Sequence, residues 1–167
     1  MLQAQALHGN IDYLAARQGC QKELVLPSDA EDVPATWQKT NLQRILYIED
    51  DEDIAAIGCM ILEGVGNFDV RHFNSGEAAI NAYDAVAPDL IIVDVMMPGL
   101  DGPATIMHLM NIHAEKCAPF IFMTARAQLH EQEEYRALGA LDVIVKPFDP
   151  MTLCDEIQTI WDKHHTP

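Results

Sequence analysis

Five polar residues stand where short apolar runs end, at positions where a strand would stop and a loop begin. Glu49 and Asp50 close one such run, Asp94 closes another, and Thr124 and Lys146 close two later ones. Three carboxylates brought within several ångströms of one another would repel, so a positive charge must lie among them. Because neither His nor Cys belongs to the set, its oxygen donors indicate a hard cation.

The elements that must position these residues follow from the pattern of the chain. From Arg44 onward, apolar strand-like runs alternate with amphipathic helical stretches, which is typical of a parallel sheet covered on both faces. The predicted strands are residues 44–49, 68–73, 90–94, 120–124 and 142–145, and the predicted helices are residues 53–63, 75–86, 103–114, 129–138 and 150–163. Right-handed crossovers then give an α/β, doubly wound sheet, which binds ligands at the carboxyl ends of its strands.

These residues, in this order and at these separations, resemble the receiver domain of two-component response regulators. The resemblance covers residues 44–161 and rests on the acidic pair, on Asp94 and the loop behind it, and on two short motifs, Thr124-Ala125 and Lys146-Pro147-Phe148. It implies a flavodoxin-like doubly wound five-stranded parallel sheet of order 2-1-3-4-5 with five helices. It also implies a cis peptide bond between Lys146 and Pro147.

The resemblance assigns a phosphorylation reaction to these residues. Asp94 would accept a phosphoryl group from the phosphohistidine of a histidine kinase or a histidine phosphotransfer protein, forming an aspartyl phosphate. Lys146, the Thr124 hydroxyl and the backbone N–H of Ala125 would contact the phosphoryl oxygens. The protein would catalyse only its own phosphorylation and dephosphorylation, so a signalling module is expected and not an enzyme with an outside substrate.

The resemblance also implies the cation and its ligands. Asp50, Asp94 and the backbone carbonyl of Met96 would bind Mg²⁺ directly, while Glu49 would act largely through water. A sparse protein shell that leaves several waters on the ion is what Mg²⁺ prefers.

One position departs from the family. Receivers commonly carry Tyr or Phe three residues before the lysine, and here that residue is Val143. Output is expected through protein contacts of the fourth helix, the fifth strand and the fifth helix. Because only a few residues follow the fifth helix, we expect a stand-alone receiver with an unidentified downstream protein partner, as a monomer or weak dimer.

Composition limits the other partners. The chain has 167 residues, 49% of them hydrophobic, which suits one domain with an appendage. A formal net charge of −16 with only ten Lys and Arg argues against direct binding of nucleic acid. No apolar run is long enough to span a membrane, and the four cysteines form no C-x-x-C motif, so a reduced, cytoplasmic protein is expected.

Residues 1–41 are expected to form an N-terminal extension and linker, and residues 42–167 the receiver domain. The composition of the extension is that of a partly disordered tail. The alternative is a docking or dimerisation helix between Ile11 and Leu26.

Three other functions are alternatives to the receiver. A phosphatase of the haloacid dehalogenase type needs a second Asp two residues after the first, where Met96 stands. A flavodoxin-like flavin carrier needs a phosphate loop after the first strand, where the acidic residues from Glu49 to Glu52 would repel the phosphate. A pseudo-receiver that acts as an unphosphorylated scaffold stays open until phosphorylation is assayed.

Overall fold

A computed structural model describes residues 41–125 and 128–165. Within these residues five parallel strands form one sheet in the order β2-β1-β3-β4-β5, as predicted. The strands are β1 (Arg44–Ile48), β2 (Asp69–Phe73), β3 (Leu90–Asp94), β4 (Phe120–Thr124) and β5 (Asp142–Val145). Strands β1, β3 and β4 therefore occupy the centre of the sheet, and their carboxyl ends form its middle edge.

Five α-helices connect and cover the strands, together with a 3₁₀ turn at Ala114–Lys116. The helices are α1 (Glu52–Gly64), α2 (Gly76–Val86), α3 (Gly102–His113), α4 (Leu129–Ala137) and α5 (Leu153–His165). Each of the first three helices begins after a side-chain cap, supplied by Asp51, Ser75 and Asp101 respectively. Caps of this kind satisfy backbone N–H groups that have no partner within the helix.

The largest difference from the predicted bounds lies at the start of α5, which begins at Leu153 instead of residue 150. The Asp149 carboxylate accepts a hydrogen bond from the Met151 N–H at 2.8 Å, and the Asp149 carbonyl accepts from Thr152 and Leu153. This side-chain bond holds a turn ahead of the helix, so Pro150 lies in the turn. The other bounds agree with the prediction to within two residues, and those of β3, β4 and β5 agree completely.

Two apolar clusters, one on each face of the sheet, form the core. The first packs alternate strand residues such as Ile45 and Ile92 against α1 and α5, and the second packs Leu46, Val93 and Phe122 against the helices of the other face. All five residues of β3 and of β4 are buried, because helices cover these central strands on both sides. Backbone positions at their carboxyl ends are thereby fixed.

The predicted extension, residues 1–41, lies outside the described residues except for Asn41, so its boundary stays a prediction. No helix among the residues that the structure describes is long and apolar enough to cross a membrane.

Candidate functional site

The carboxyl edge of the sheet brings the predicted site residues together. Asp94 is the last residue of β3 and pairs in register with Met123, one residue before Thr124 at the end of β4. The loop after Asp94 is held by two backbone hydrogen bonds, from Val95 N–H to Met123 and from Gly102 N–H back to Val95. A Cβ atom at Gly102 would collide with the Asp94 carbonyl, so only glycine allows α3 to begin this close to the end of β3.

Lys146 bridges the two strands that carry the carboxylates. Its Nζ lies 2.5 Å from Glu49 Oε2 and 3.2 Å from Asp94 Oδ2. The side chains of Lys146 and Asp94 are each 10% exposed and that of Glu49 is 1% exposed, so these charges interact with little screening by water. The peptide bond between Lys146 and Pro147 is cis, as the family resemblance implies.

Burial dominates the electrostatics of Glu49. Desolvation raises the pKa of this carboxyl group, the Lys146 ammonium opposes that rise, and the charge of Asp94 adds to it. The pKa of Glu49 therefore lies above the ordinary value of a glutamate. A carboxylate held this way is stabilised by any additional positive charge that reaches it.

The three acidic side chains form a group that could hold a cation. One carboxylate oxygen from each of Glu49, Asp50 and Asp94 lies within 4.8 Å of the other two. The second oxygen of Glu49, Oε1, is buried and has no hydrogen-bond partner within the described part of the chain. Buried carboxylate oxygens are normally satisfied, so an unpartnered one beside two further carboxylates fits a hydrated hard cation.

The other residues singled out in the sequence differ in how deeply they are buried. Thr124 is 1% exposed, and its carbonyl accepts a hydrogen bond from the Lys146 N–H at 2.7 Å, which ties the ends of β4 and β5 together. Met96, whose carbonyl was predicted to bind the metal, is 57% exposed. Val143 is buried in the core, where it pairs in register with Phe122.

Two residues that contact Glu49 were not singled out by the sequence analysis. The Tyr47 hydroxyl donates to Glu49 Oε2 at 3.5 Å, and the Nε2 atom of His72 lies 2.9 Å from the Glu49 backbone carbonyl. Burial, followed by the charge of Glu49, raises the pKa of Tyr47 above its ordinary value, so the phenol keeps its proton. Two-residue periodicity along β1 could have placed Tyr47 on the same face as Glu49.

Comparison with known proteins agrees with this geometry. Residues 45–158 match the model of the response regulator receiver domain. The chain is 35% identical over 120 residues to the phosphate regulon transcriptional regulatory protein PhoB of Escherichia coli, covering 71% of this chain and 51% of that protein. It is 32% identical over 119 residues to the DNA-binding response regulator MtrA of Mycobacterium tuberculosis, covering 71% of this chain and 50% of MtrA. The chain thus matches about half the length of these curated relatives.

Solved structures with the same fold are matched almost completely. The chemotaxis protein CheY4 of Vibrio cholerae superposes with a TM-score of 0.65 at 26% identity, covering 72% of this chain and 99% of that one. A putative response regulator from Chloroflexus aurantiacus gives a TM-score of 0.64 at 29% identity, covering 72% and 98%. The similarity therefore extends over almost the whole of both solved chains and over 72% of this chain.

Proposed function

Since this chain belongs to the response regulator receiver domain family, we propose that it is a signalling module that accepts a phosphoryl group on Asp94. The donor would be the phosphohistidine of a histidine kinase or of a histidine phosphotransfer protein. The observation that carries the proposal is the environment of Asp94. This residue, 7% exposed as a whole, ends a buried strand, contacts Lys146 and lies beside two further carboxylates.

In the proposed step, a carboxylate oxygen of Asp94 attacks the phosphorus atom. A new O–P bond forms, the P–N bond to the imidazole breaks, and its electron pair returns to the imidazole nitrogen. The Lys146 ammonium, 3.2 Å from Asp94 Oδ2, supports this assignment because a fixed cation stabilises negative charge on the transferred group. The Thr124 hydroxyl and the Ala125 N–H, at the end of β4, would bind another phosphoryl oxygen.

The donor set fits Mg²⁺. Asp50, Asp94 and the backbone carbonyl of Met96 would hold the ion directly, and Glu49 would hold it through water. When bound, the ion would offset the charge of the three carboxylates and of the incoming phosphoryl group.

Output would pass through protein contacts on the side of α4, β5 and α5. A net charge of −16 disfavours binding to the phosphate backbone of a nucleic acid. We therefore propose a protein partner and do not extend the DNA binding named for MtrA to this chain, which matches only half of that protein. Autodephosphorylation, a monomeric or weakly dimeric state, and a cytoplasmic location are further parts of this proposal.

A labelling experiment tests the proposal. The purified chain is incubated with Mg²⁺ and either a phosphorylated histidine kinase or acetyl phosphate, and the phosphoprotein is tested for sensitivity to hydroxylamine, which cleaves acyl phosphates. Asp94→Asn should abolish labelling, whereas Asp101→Asn should leave it intact because Asp101 is an exposed helix cap. No labelling of the parent protein by either donor would favour the unphosphorylated scaffold instead.

A further inference from the structure

A layer of side chains behind Glu49 has no place in the phosphorylation chemistry described above. Tyr47 and His72 face each other across β1 and β2 as register partners, with ring centroids 5.7 Å apart. Both donate toward Glu49, Tyr47 to the carboxylate and His72 to the backbone carbonyl. The same glutamate is therefore contacted at two points by one cross-strand pair.

We propose that Tyr47 and His72 are positioning residues that fix Glu49 for the cation site. This inference rests on the proposed function, because it assigns them a role in binding the ion that phosphorylation requires. Lys146 and Tyr47 both engage Oε2, which leaves Oε1 as the oxygen available to a metal-bound water. The His72 bond to the carbonyl, together with the Glu49 N–H bond to Phe73 at 3.1 Å, fixes the backbone from which that carboxylate extends.

The packing of α1 supports a specific place for the Tyr47 ring. A Cβ atom at Gly58 would lie 2.7 to 2.9 Å from three atoms of Tyr47, including the hydroxyl oxygen. Glycine at this point of α1 therefore makes room for the phenol, which is 1% exposed. A ring enclosed this tightly keeps its hydroxyl beside Glu49, whereas a tyrosine with free space could rotate away.

The hydroxyl can be removed without changing the shape of the core. In Tyr47→Phe, Glu49 Oε2 keeps Lys146 but loses its second donor, so the carboxylate gains rotational freedom. We expect the Mg²⁺ dissociation constant, measured by calorimetry and by the shifts of backbone amide resonances at residues 49–51, to rise about twofold, because 3.5 Å is long for an O–H···O hydrogen bond. The rate of labelling by acetyl phosphate should shift to higher Mg²⁺ concentration by the same factor and recover at saturating Mg²⁺.

A matched control separates this effect from a general loss of stability. The hydroxyl of Tyr83, another buried tyrosine, accepts a hydrogen bond from the Ala118 N–H at 2.7 Å on the other face of the sheet. Tyr83→Phe should lower the thermal midpoint and leave Mg²⁺ affinity unchanged. If Tyr47→Phe binds Mg²⁺ as tightly as the parent protein, or if both variants weaken binding equally, the assignment of Tyr47 is wrong.

His72 is tested by loss and rescue. His72→Leu removes the donor to the Glu49 carbonyl and should weaken Mg²⁺ binding, whereas His72→Gln restores an N–H donor at a similar reach and should recover most of it. If the Gln variant is as weak as the Leu variant, the hydrogen bond is not what positions Glu49.

A double mutant tests whether Tyr47 acts on Mg²⁺ binding through Glu49. In a Glu49→Ala background Tyr47→Phe should have no further effect on Mg²⁺ affinity, because the group that it positions is gone. An undiminished effect in that background would overturn the proposal. A parent protein that binds Mg²⁺ but is never phosphorylated would instead refute the proposed function and leave this inference standing.

Discussion

Two regions at the same end of the sheet are built in opposite ways. The site floor, consisting of Glu49, Asp94, Thr124 and Lys146, is almost completely buried and is held by strands packed on both faces. The neighbouring helix α4 has no buried residue at all, and Leu129 at its start is 77% exposed. The proposed chemistry is therefore placed on buried strands, whereas the adjacent helix buries none of its own residues.

Two contacts between α4 and the rest of the domain illustrate how it is attached. The Tyr135 ring packs 5.1 Å from Phe122, and Arg136 binds Asp142 at the start of β5 at 2.8 Å. Elements with few buried apolar contacts open at low free energy, and such elements are the ones that move in switching. This contrast supports α4 as the part of the proposed output surface that responds to phosphorylation.

Hydrogen exchange would test the contrast most strongly. Amide protons of β3 should exchange only through global unfolding. Those in the last two turns of α4 should exchange through local opening, about a thousandfold faster after correction for the intrinsic exchange rates. Mass spectrometry or NMR of the unphosphorylated protein measures both sets together. Equal protection of the two regions would refute the distinction between a rigid floor and a loosely attached helix.

Replacing one cationic side chain in each region should change the rate of phosphorylation in only one of them. Lys146→Met leaves Glu49 and Asp94 without their shared counter-charge, and labelling by acetyl phosphate should fall about 100-fold. Arg136→Met removes the cation that binds Asp142, on a side chain that is 46% exposed, and labelling should stay at the parental rate. Near-parental labelling of Lys146→Met would remove this residue from the site.

The exposed rim of the site should control how long the phosphorylated state lasts. The Met96 thioether is a poor hydrogen-bond partner for water, so we expect it not to help place a water for hydrolysis. Met96→Asn should accelerate loss of phosphate about fivefold, the value of one additional hydrogen bond. Met110→Asn, at another half-exposed methionine on α3, serves as the control and should not change the decay measured with purified phosphoprotein.

The Arg136–Asp142 pair should give the smallest effect, and one that depends on pH. Burial alone would raise the pKa of Asp142, but the hydrogen bonds from Arg136 and the Val143 N–H lower it below the ordinary value. A lowered pKa stabilises the folded state above the unfolded-state pKa, and that stabilisation disappears as pH falls through the folded-state pKa.

Asp142→Asn should accordingly lower the free energy of unfolding by about 0.5 kcal/mol at pH 7, since the pair is partly exposed. The difference from the parent should vanish in acid, as measured by urea unfolding across pH. Asp69→Asn, which breaks a more exposed pair with Arg71, is the matched control and should change little at any pH. A difference for Asp142→Asn that persists below its folded-state pKa would mean that lost packing is responsible.

Much of the frame could be predicted because its signals are local. The apolar runs of β3 and β4 end at Asp94 and Thr124 in both the sequence and the structure, since buried central strands consist of continuous apolar residues. The start of α5 could not be predicted, because it depends on where the Asp149 carboxylate finds its hydrogen-bond donor.

The site was predicted as a set of residues but not as a set of contacts. Lys146 was expected to face the phosphoryl group, and its bond to Glu49 joins β1 to the end of β5, two strands that are not neighbours in the sheet. Contacts across such a gap depend on side-chain conformations that no local pattern encodes. His72 was missed for a related reason, because its position beside Tyr47 depends on the register between β1 and β2.

The most direct test of the central claim is to locate the phosphoryl group chemically. The protein is phosphorylated with Mg²⁺ and acetyl phosphate and reduced with borohydride, which converts an aspartyl phosphate to homoserine, and the peptides are then sequenced by mass spectrometry. The account predicts homoserine at position 94 and at no other aspartate. Homoserine at position 50 or 101 with an unmodified Asp94, or a stable phosphate on a hydroxyl residue, would contradict it.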